Sequence, residues 1–129
     1  MYTFDYQRPT SAADAKAALS GDARYLAGGQ SLIQAMKLRL SSSERLVDLG
    51  GLNDLKTIKM DGANLVIGAM ATHASVGASA DVKRANPALA ELAAGIGDPM
   101  VRNMGTIGGS VANNDPAADY PAADRKSVV

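Results

Sequence analysis

The sequence contains no cysteine and no tryptophan, one phenylalanine (Phe4) and one histidine (His73). Without cysteine there is no disulfide, no zinc-finger site and no cysteine-ligated iron–sulfur cluster within the chain. The absence fits a reducing compartment. With a single histidine, a protein metal site would need carboxylates, and the acidic residues show no ligand spacing. Thirteen basic and thirteen acidic residues cancel, so the basic footprint of a nucleic-acid-binding protein is missing. No Lys/Arg-rich amphipathic stretch suggests a membrane surface, and no apolar run approaches the ~20 residues that cross a bilayer. The start, Met1-Tyr2-Thr3-Phe4-Asp5, lacks the basic and apolar regions of a signal peptide. The expected setting is cytoplasmic. There is no nucleophile elbow and no paired-carboxylate site. Any redox or transfer chemistry would therefore belong to a bound cofactor.

What the chain does have is 13 glycines, two pairs of which sit in similar surroundings. One reads Ala27-Gly28-Gly29-Gln30-Ser31, the other Thr106-Ile107-Gly108-Gly109-Ser110. Paired glycines permit positive φ and close approach to the main chain, and successive backbone N–H groups can form a nest for a phosphate. Two such loops point to a ligand with two phosphates, a dinucleotide. Each also has a plainer reading: a strand–turn–helix junction with a serine cap at 27–32, and a glycine-rich hairpin at 106–110. The first is not a Rossmann fingerprint, because the third glycine and the downstream acidic residue are missing, and no Lys-Ser/Thr makes it a P-loop.

At 129 residues the chain fits one domain, with a core expected from Leu, Ile, Val and Met. A strand is expected over Tyr2–Tyr6. Ser11 and Asp14 read as a capping box for a helix through Leu19, which Gly21 ends. Arg24–Ala27 reads as a strand entering the first glycine pair. Ser31 reads as the cap of a helix from Leu32 to about Leu40, with Leu32, Ile33, Met36 and Leu40 on one face. Arg45–Asp48 closes this β-α-β-α opening. Thr57–Met60 and Leu65–Ile67 flank an Asp61-Gly62 hairpin turn. Short helices are expected after Thr72 and from Asn86-Pro87, where Pro stands at the first helical position; Gly97-Asp98-Pro99 closes the second. Val101–Asp119 reads as a loop, costly to order without a ligand. Within it Asp119 can accept from ribose hydroxyls. His73 reads either as a proton relay or ligand contact, or as a surface or helix-cap residue. Arg102 reads as a partner for phosphate or for Asp98. The methionines, Met36 and Met70 among them, read as core filler. Pro121-Ala122-Ala123 starts an apolar helix that gives way to Asp124-Arg125-Lys126, as if a domain were cut short.

Five blocks, FDYQRPTS, LAGGQSLIQAMKLRL, LVDLGGL, LVIGAMATHASV and GDPMVRNMGTIGGSVANNDPAADYPAA, together resemble the N-terminal part of the FAD-binding medium subunit of molybdenum hydroxylases. That family includes aerobic carbon monoxide dehydrogenase and xanthine dehydrogenase. The resemblance implies an α+β fold, the FAD-binding domain of the vanillyl-alcohol-oxidase or p-cresol-methylhydroxylase type. Its two small α/β lobes would be residues 1–54 and a partial second lobe, 55–129. It implies FAD as cofactor, with Ala27, Gly28, Gly29, Gln30 and Ser31 and then Thr106, Ile107, Gly108, Gly109 and Ser110 as the two pyrophosphate loops. Tyr25, Leu26 and Leu32 flank the first loop, and Asp119 matches an FAD-contacting acidic position. The implied function is electron transfer: an oxidoreductase subunit that passes electrons from an iron–sulfur subunit, fed by a molybdopterin subunit, to an external acceptor. The alternatives are another flavin oxidoreductase of the same fold, or an inactive partial domain used only in assembly. Three departures stand out: Ser110 where many members carry Asn, the charged Asp124-Arg125-Lys126 in place of an apolar helix, and no further strands or C-terminal domain.

Overall fold

The computed structural model describes residues 1–124. Its first half is a three-stranded parallel sheet. The strands are β1 (Asp5–Gln7), β2 (Ala23–Leu26) and β3 (Arg45–Asp48), in the order β1-β3-β2. The last strand to arrive takes the centre, and its Leu46 and Val47 are fully buried, as a strand covered on both faces requires. The strand expected at Tyr2–Tyr6 forms later, at Asp5–Gln7, because its pairing partner is Arg45–Val47 and the register starts at Asp5. This edge strand is exposed throughout.

Helix α1 (Ala12–Ala18) starts at the expected Ser11 cap, with half of the capping box formed. The Asp14 N–H donates to Ser11 Oγ at 3.1 Å, and that hydroxyl donates to the Asp14 carboxylate at 2.7 Å. Helix α2 (Leu32–Lys37) is shorter than the expected span to Leu40. Arg39 turns left-handed at φ 56, so Leu40 leaves the buried face and is 79% exposed while Met36 stays buried. Two single-turn 3-10 helices, Leu49–Gly51 and Asn53–Lys56, lead out of the sheet. Ala15, Val47 and Leu52 form a small core here with Ala18, Leu49 and Leu55.

The second half begins with the expected hairpin, β4 (Ile58–Asp61) and β5 (Asn64–Ile67), turned at Gly62 with φ 58. Helices α3 (His73–Ala78), α4 (Ala80–Ala85) and α5 (Pro87–Gly95) follow, capped by Thr72, Ser79 and Asn86. Gly77 lets α3 lie directly on α5, where its missing Cβ would sit 3.0 Å from the Ala94 nitrogen. The core is Ala71, Val76, Val82, Ala90, Ala93, Ile96 and Tyr120. Alanines and one tyrosine join the expected aliphatic set here, and Ile58, Leu65, Ile67, Leu89, Leu92 and Ile107 pack around them. Met36 and Met70 are buried, but Met100 and Met104 are exposed, so the methionines are only partly core.

The largest departure lies at Val101–Asp119. Two helices stand where a loop is expected: α6 (Pro99–Met104), capped by Asp98, and α7 (Ile107–Asn113), capped by Thr106 and ended by left-handed Asn114. A short α8 (Pro121–Asp124) follows. The charged stretch expected to break this helix, Arg125-Lys126, lies outside the described residues. Among the described residues no helix is long and apolar enough to cross a membrane.

Candidate functional site

A cleft of about 560 Å³ lies between the two glycine pairs. One wall is the turn from β2 into α2, and the other is the start of α7. The structure places Tyr25, Ala27, Gly28, Gly29, Gln30, Ser31, Leu32, Thr106, Gly108, Gly109, Ser110 and Asp119 on its lining. Two predicted residues face elsewhere. Ile107 packs on the second core, and Leu26 puts its Cδ1 3.5 Å from where a Gly29 Cβ would be, beneath the turn. The tips of α3 and α6 complete the floor through His73, Val101 and Gly105.

The two walls differ physically. At the first, Gly29 has φ 73, a left-handed turn that glycine supplies without steric cost. Among the described residues, no protein group accepts from the N–H of Gly28, Gly29, Gln30 or Ser31. Ser31, expected to cap α2, has no side-chain cap bond; its φ of -111 and ψ of -54 are helical rather than extended, so its exposed Oγ is uncommitted. Buried or half-buried N–H groups want acceptors, and this turn offers several to whatever enters the cleft.

The second wall is already satisfied. Ile107 N–H donates to Ala71 O at 3.1 Å, Gly108 N–H to Ala69 O at 2.9 Å and Ser110 N–H to Thr106 O at 3.0 Å. Gly109 N–H donates to Thr106 Oγ1 at 3.0 Å. This glycine pair is the first turn of a helix with negative φ, and its amides already have acceptors within the chain. Its glycines serve close approach. A Cβ on Gly108 would lie 2.6 Å from Ala69 O, and one on Gly109 2.8 Å from Thr106 Oγ1. The result is a wall without side chains at its nearest point to the ligand space.

The second wall is tied by backbone to the start of α3. Thr72 and Thr106, both helix caps, form an antiparallel bridge, and His73 N–H donates to Gly105 O at 3.0 Å. Arg102, read as a partner for phosphate or for Asp98, forms no ion pair with Asp98 among the described residues; its guanidinium donates to the carbonyls of Ile96 and Gly97 at 3.2 and 2.9 Å.

His73 is not the surface residue that one reading expected. It is buried, and its Nδ1 lies 2.6 Å from the buried Tyr120 hydroxyl. Burial holds its pKa below the ordinary 6.5, against a smaller opposing pull from the Asp119 carboxylate. Burial and then Asp119 push Tyr120 up to about 12. The signs give a stability window. The unfolded chain takes up a proton at His73 first, so stability is complete above 6.5 and drains as pH falls from there through the lowered folded value. Tyr120 ionises near 10 when unfolded and near 12 when folded, so stability is lost as pH rises between them. Thermal melting against pH should therefore show a plateau between these limbs. Tyr120→Phe should shrink the alkaline limb, with Tyr6, raised by its hydrogen bond to Asp48, retaining part of it.

An α+β fold with a free-amide turn facing a bare glycine wall defines a domain made to hold an extended anionic cofactor. The chain belongs to the family described as "FAD binding domain in molybdopterin dehydrogenase", which matches residues 2–124. It is 50% identical over 124 residues to the carbon monoxide dehydrogenase medium chain of Afipia carboxidovorans, covering 93% of this chain and 43% of that one. The medium chain from Hydrogenophaga pseudoflava is 43% identical, with 92% and 42% covered. The solved structure of reconstituted CO dehydrogenase from Oligotropha carboxidovorans superposes with a TM-score of 0.90 at 48% identity, covering 94% of this chain and 43% of that one. The chain thus spans less than half the length of the relatives it matches. The expected fold class and the cofactor, FAD, are those of the family.

Proposed function

We propose that this chain holds FAD as the N-terminal part of an electron-transfer subunit of a molybdenum hydroxylase resembling carbon monoxide dehydrogenase. In this reading it works with an iron–sulfur and a molybdopterin subunit in the cytoplasm and delivers electrons to an external acceptor. The "medium chain" relatives support such an assembly by name. The reading divides the chain into lobes at 1–54 and 55–129, supported by the two separate cores.

The observation that carries the cofactor assignment is the set of N–H groups at Gly28–Ser31 that have no acceptor among the described residues, on the cleft wall opposite the glycine start of α7. These amides and the Ser31 hydroxyl would hold a diphosphate. Gly109 and Ser110 would let it lie close to the opposite wall, Tyr25 and Leu32 would flank it, and Asp119 would accept from ribose hydroxyls. The bound flavin supplies reversible uptake and release of electrons. The protein residues bind and orient; no side chain in the cleft is placed as a general acid or base. Titration of the chain with FAD, followed by calorimetry and flavin fluorescence, should give saturable one-to-one binding in the micromolar range. No saturable heat would refute the assignment.

A further inference from the structure

The rim of the cleft at Asp115–Asp119 is weakly tied to the rest of the molecule. Its own hydrogen bonds are local: Ala117 N–H to Asp115 Oδ1 at 2.8 Å and Ala118 N–H to Asp115 O at 3.0 Å. Asp115, Ala117 and Asp119 are exposed. Among the described residues, the hydrogen bond that reaches from this stretch to the body is that of Tyr120 with His73, 2.6 Å and 47 positions apart. Tyr120 is also the rim's apolar anchor, buried with Ala71 and Val76. His73 in turn is fixed from the other side. Its N–H is bonded to Gly105 O at 3.0 Å, and Gly105 leaves room for its ring, since a Cβ there would lie 2.7 Å from Nε2.

We propose that His73 is a positioning residue: through Nδ1 it holds Tyr120, and so sets Asp119 and the Asp115–Asp119 rim against the cleft wall at the α6–α7 junction. In the tautomer this role requires, the neutral imidazole accepts a hydrogen bond from the Tyr120 hydroxyl at Nδ1 and carries its own proton on Nε2. The unbranched link from Gly105 through His73 to Tyr120 makes the rim's position depend on the same junction that starts α7. This deepens the FAD reading and rests on it for the binding half of its test only.

Two substitutions separate the role of each ring nitrogen. Asparagine puts an acceptor near the place of Nδ1, and glutamine puts one near Nε2. Amide hydrogen exchange on the FAD-free chain should accelerate at least tenfold at Ala117 and Ala118, whose N–H groups are bonded within the rim, in Tyr120→Phe and in His73→Gln, with β3 unchanged. His73→Asn should restore most of the protection. FAD affinity should fall about tenfold in the first two variants and recover in the third. The double variant Tyr120→Phe with His73→Gln should be no weaker than either alone, because one bond is lost once. The proposal is overturned if exchange at Ala117 and Ala118 stays at the wild-type rate in Tyr120→Phe, or if glutamine rescues and asparagine does not. The second result would assign His73 a direct contact through Nε2. Absence of FAD binding in the wild-type chain would sink the cofactor assignment and leave the exchange result standing.

Discussion

Replacing Gly28 with alanine should unfold much of the molecule's joint and abolish FAD uptake together. The added Cβ would stand 2.1 Å from the Met104 carbonyl oxygen and 2.7 Å from Gly105 Cα. Both neighbours are backbone, so no rotamer relieves the overlap. The far side cannot easily retreat either. Gly105 N–H is bonded to Val101 O at 2.7 Å, and Gly105 O takes the His73 N–H. Gly28 is thus the point where the turn after β2 touches the α6–α7 junction, and its role is the seam as well as the turn. Overpacking of this kind costs about 3 kcal/mol or more where backbone must shift, and a domain of this size would lose about 10 °C in melting temperature or more. Gly21 is the control. Unlike Gly28 it is left-handed, at φ 61, and nothing lies within 4 Å of its missing Cβ. Gly21→Ala should cost about 1–2 kcal/mol from backbone strain alone and leave FAD uptake in the folded protein unchanged. A Gly28→Ala chain that melts within about 2 °C of wild type would show that the seam opens without cost.

The caps were the most legible part of the sequence. Ser11, Thr72 and Asn86 each act through a side-chain oxygen on the N–H three residues later, and that rule is local. The same grammar was present and unread in the second half. Asp98-Pro99 starts α6, Ser79 starts α4 and Thr106 starts α7. Gly108 and Gly109 hid the last of these, because each glycine in a helix costs about 1 kcal/mol relative to alanine. That cost is met by contacts from far away in sequence, the Ala69 and Ala71 carbonyls that take the Gly108 and Ile107 N–H groups. The offset of β1 has the same origin, since its start is set by Arg45.

The candidate site divides along the same line. Both glycine pairs were visible as motifs, and both flank one cleft. Their difference was not visible, because whether an amide is free depends on distant carbonyls. His73 and Tyr120 had no local mark of their pairing, and Ser31 looked like a cap by residue type although its backbone is helical. Motif spacing marks the two walls of the cleft; which wall has donors left to give is set by carbonyls distant in sequence.

That asymmetry makes Ser31→Asp the most discriminating binding variant. Ser31 is exposed, has no cap bond and stands at the start of α2. An aspartate there suits a helix start, so folding stability should change by no more than about 0.5 kcal/mol. Its carboxylate would instead compete for the unclaimed N–H groups at 28–31 and repel a diphosphate held by them. Like charges about 5 Å apart at a partly exposed site cost roughly 2–3 kcal/mol, or about 30- to 150-fold in affinity. Raising the salt concentration should recover part of the loss, since the pair is near solvent. Ser31→Ala removes one hydroxyl and should cost only about 1 kcal/mol. The two variants should therefore differ by about 5- to 30-fold in FAD dissociation constant at equal melting temperature. If Ser31→Asp binds FAD as tightly as Ser31→Ala, the free amides of this turn do not face the phosphates. The charge of the cofactor would then have to be met elsewhere in the cleft.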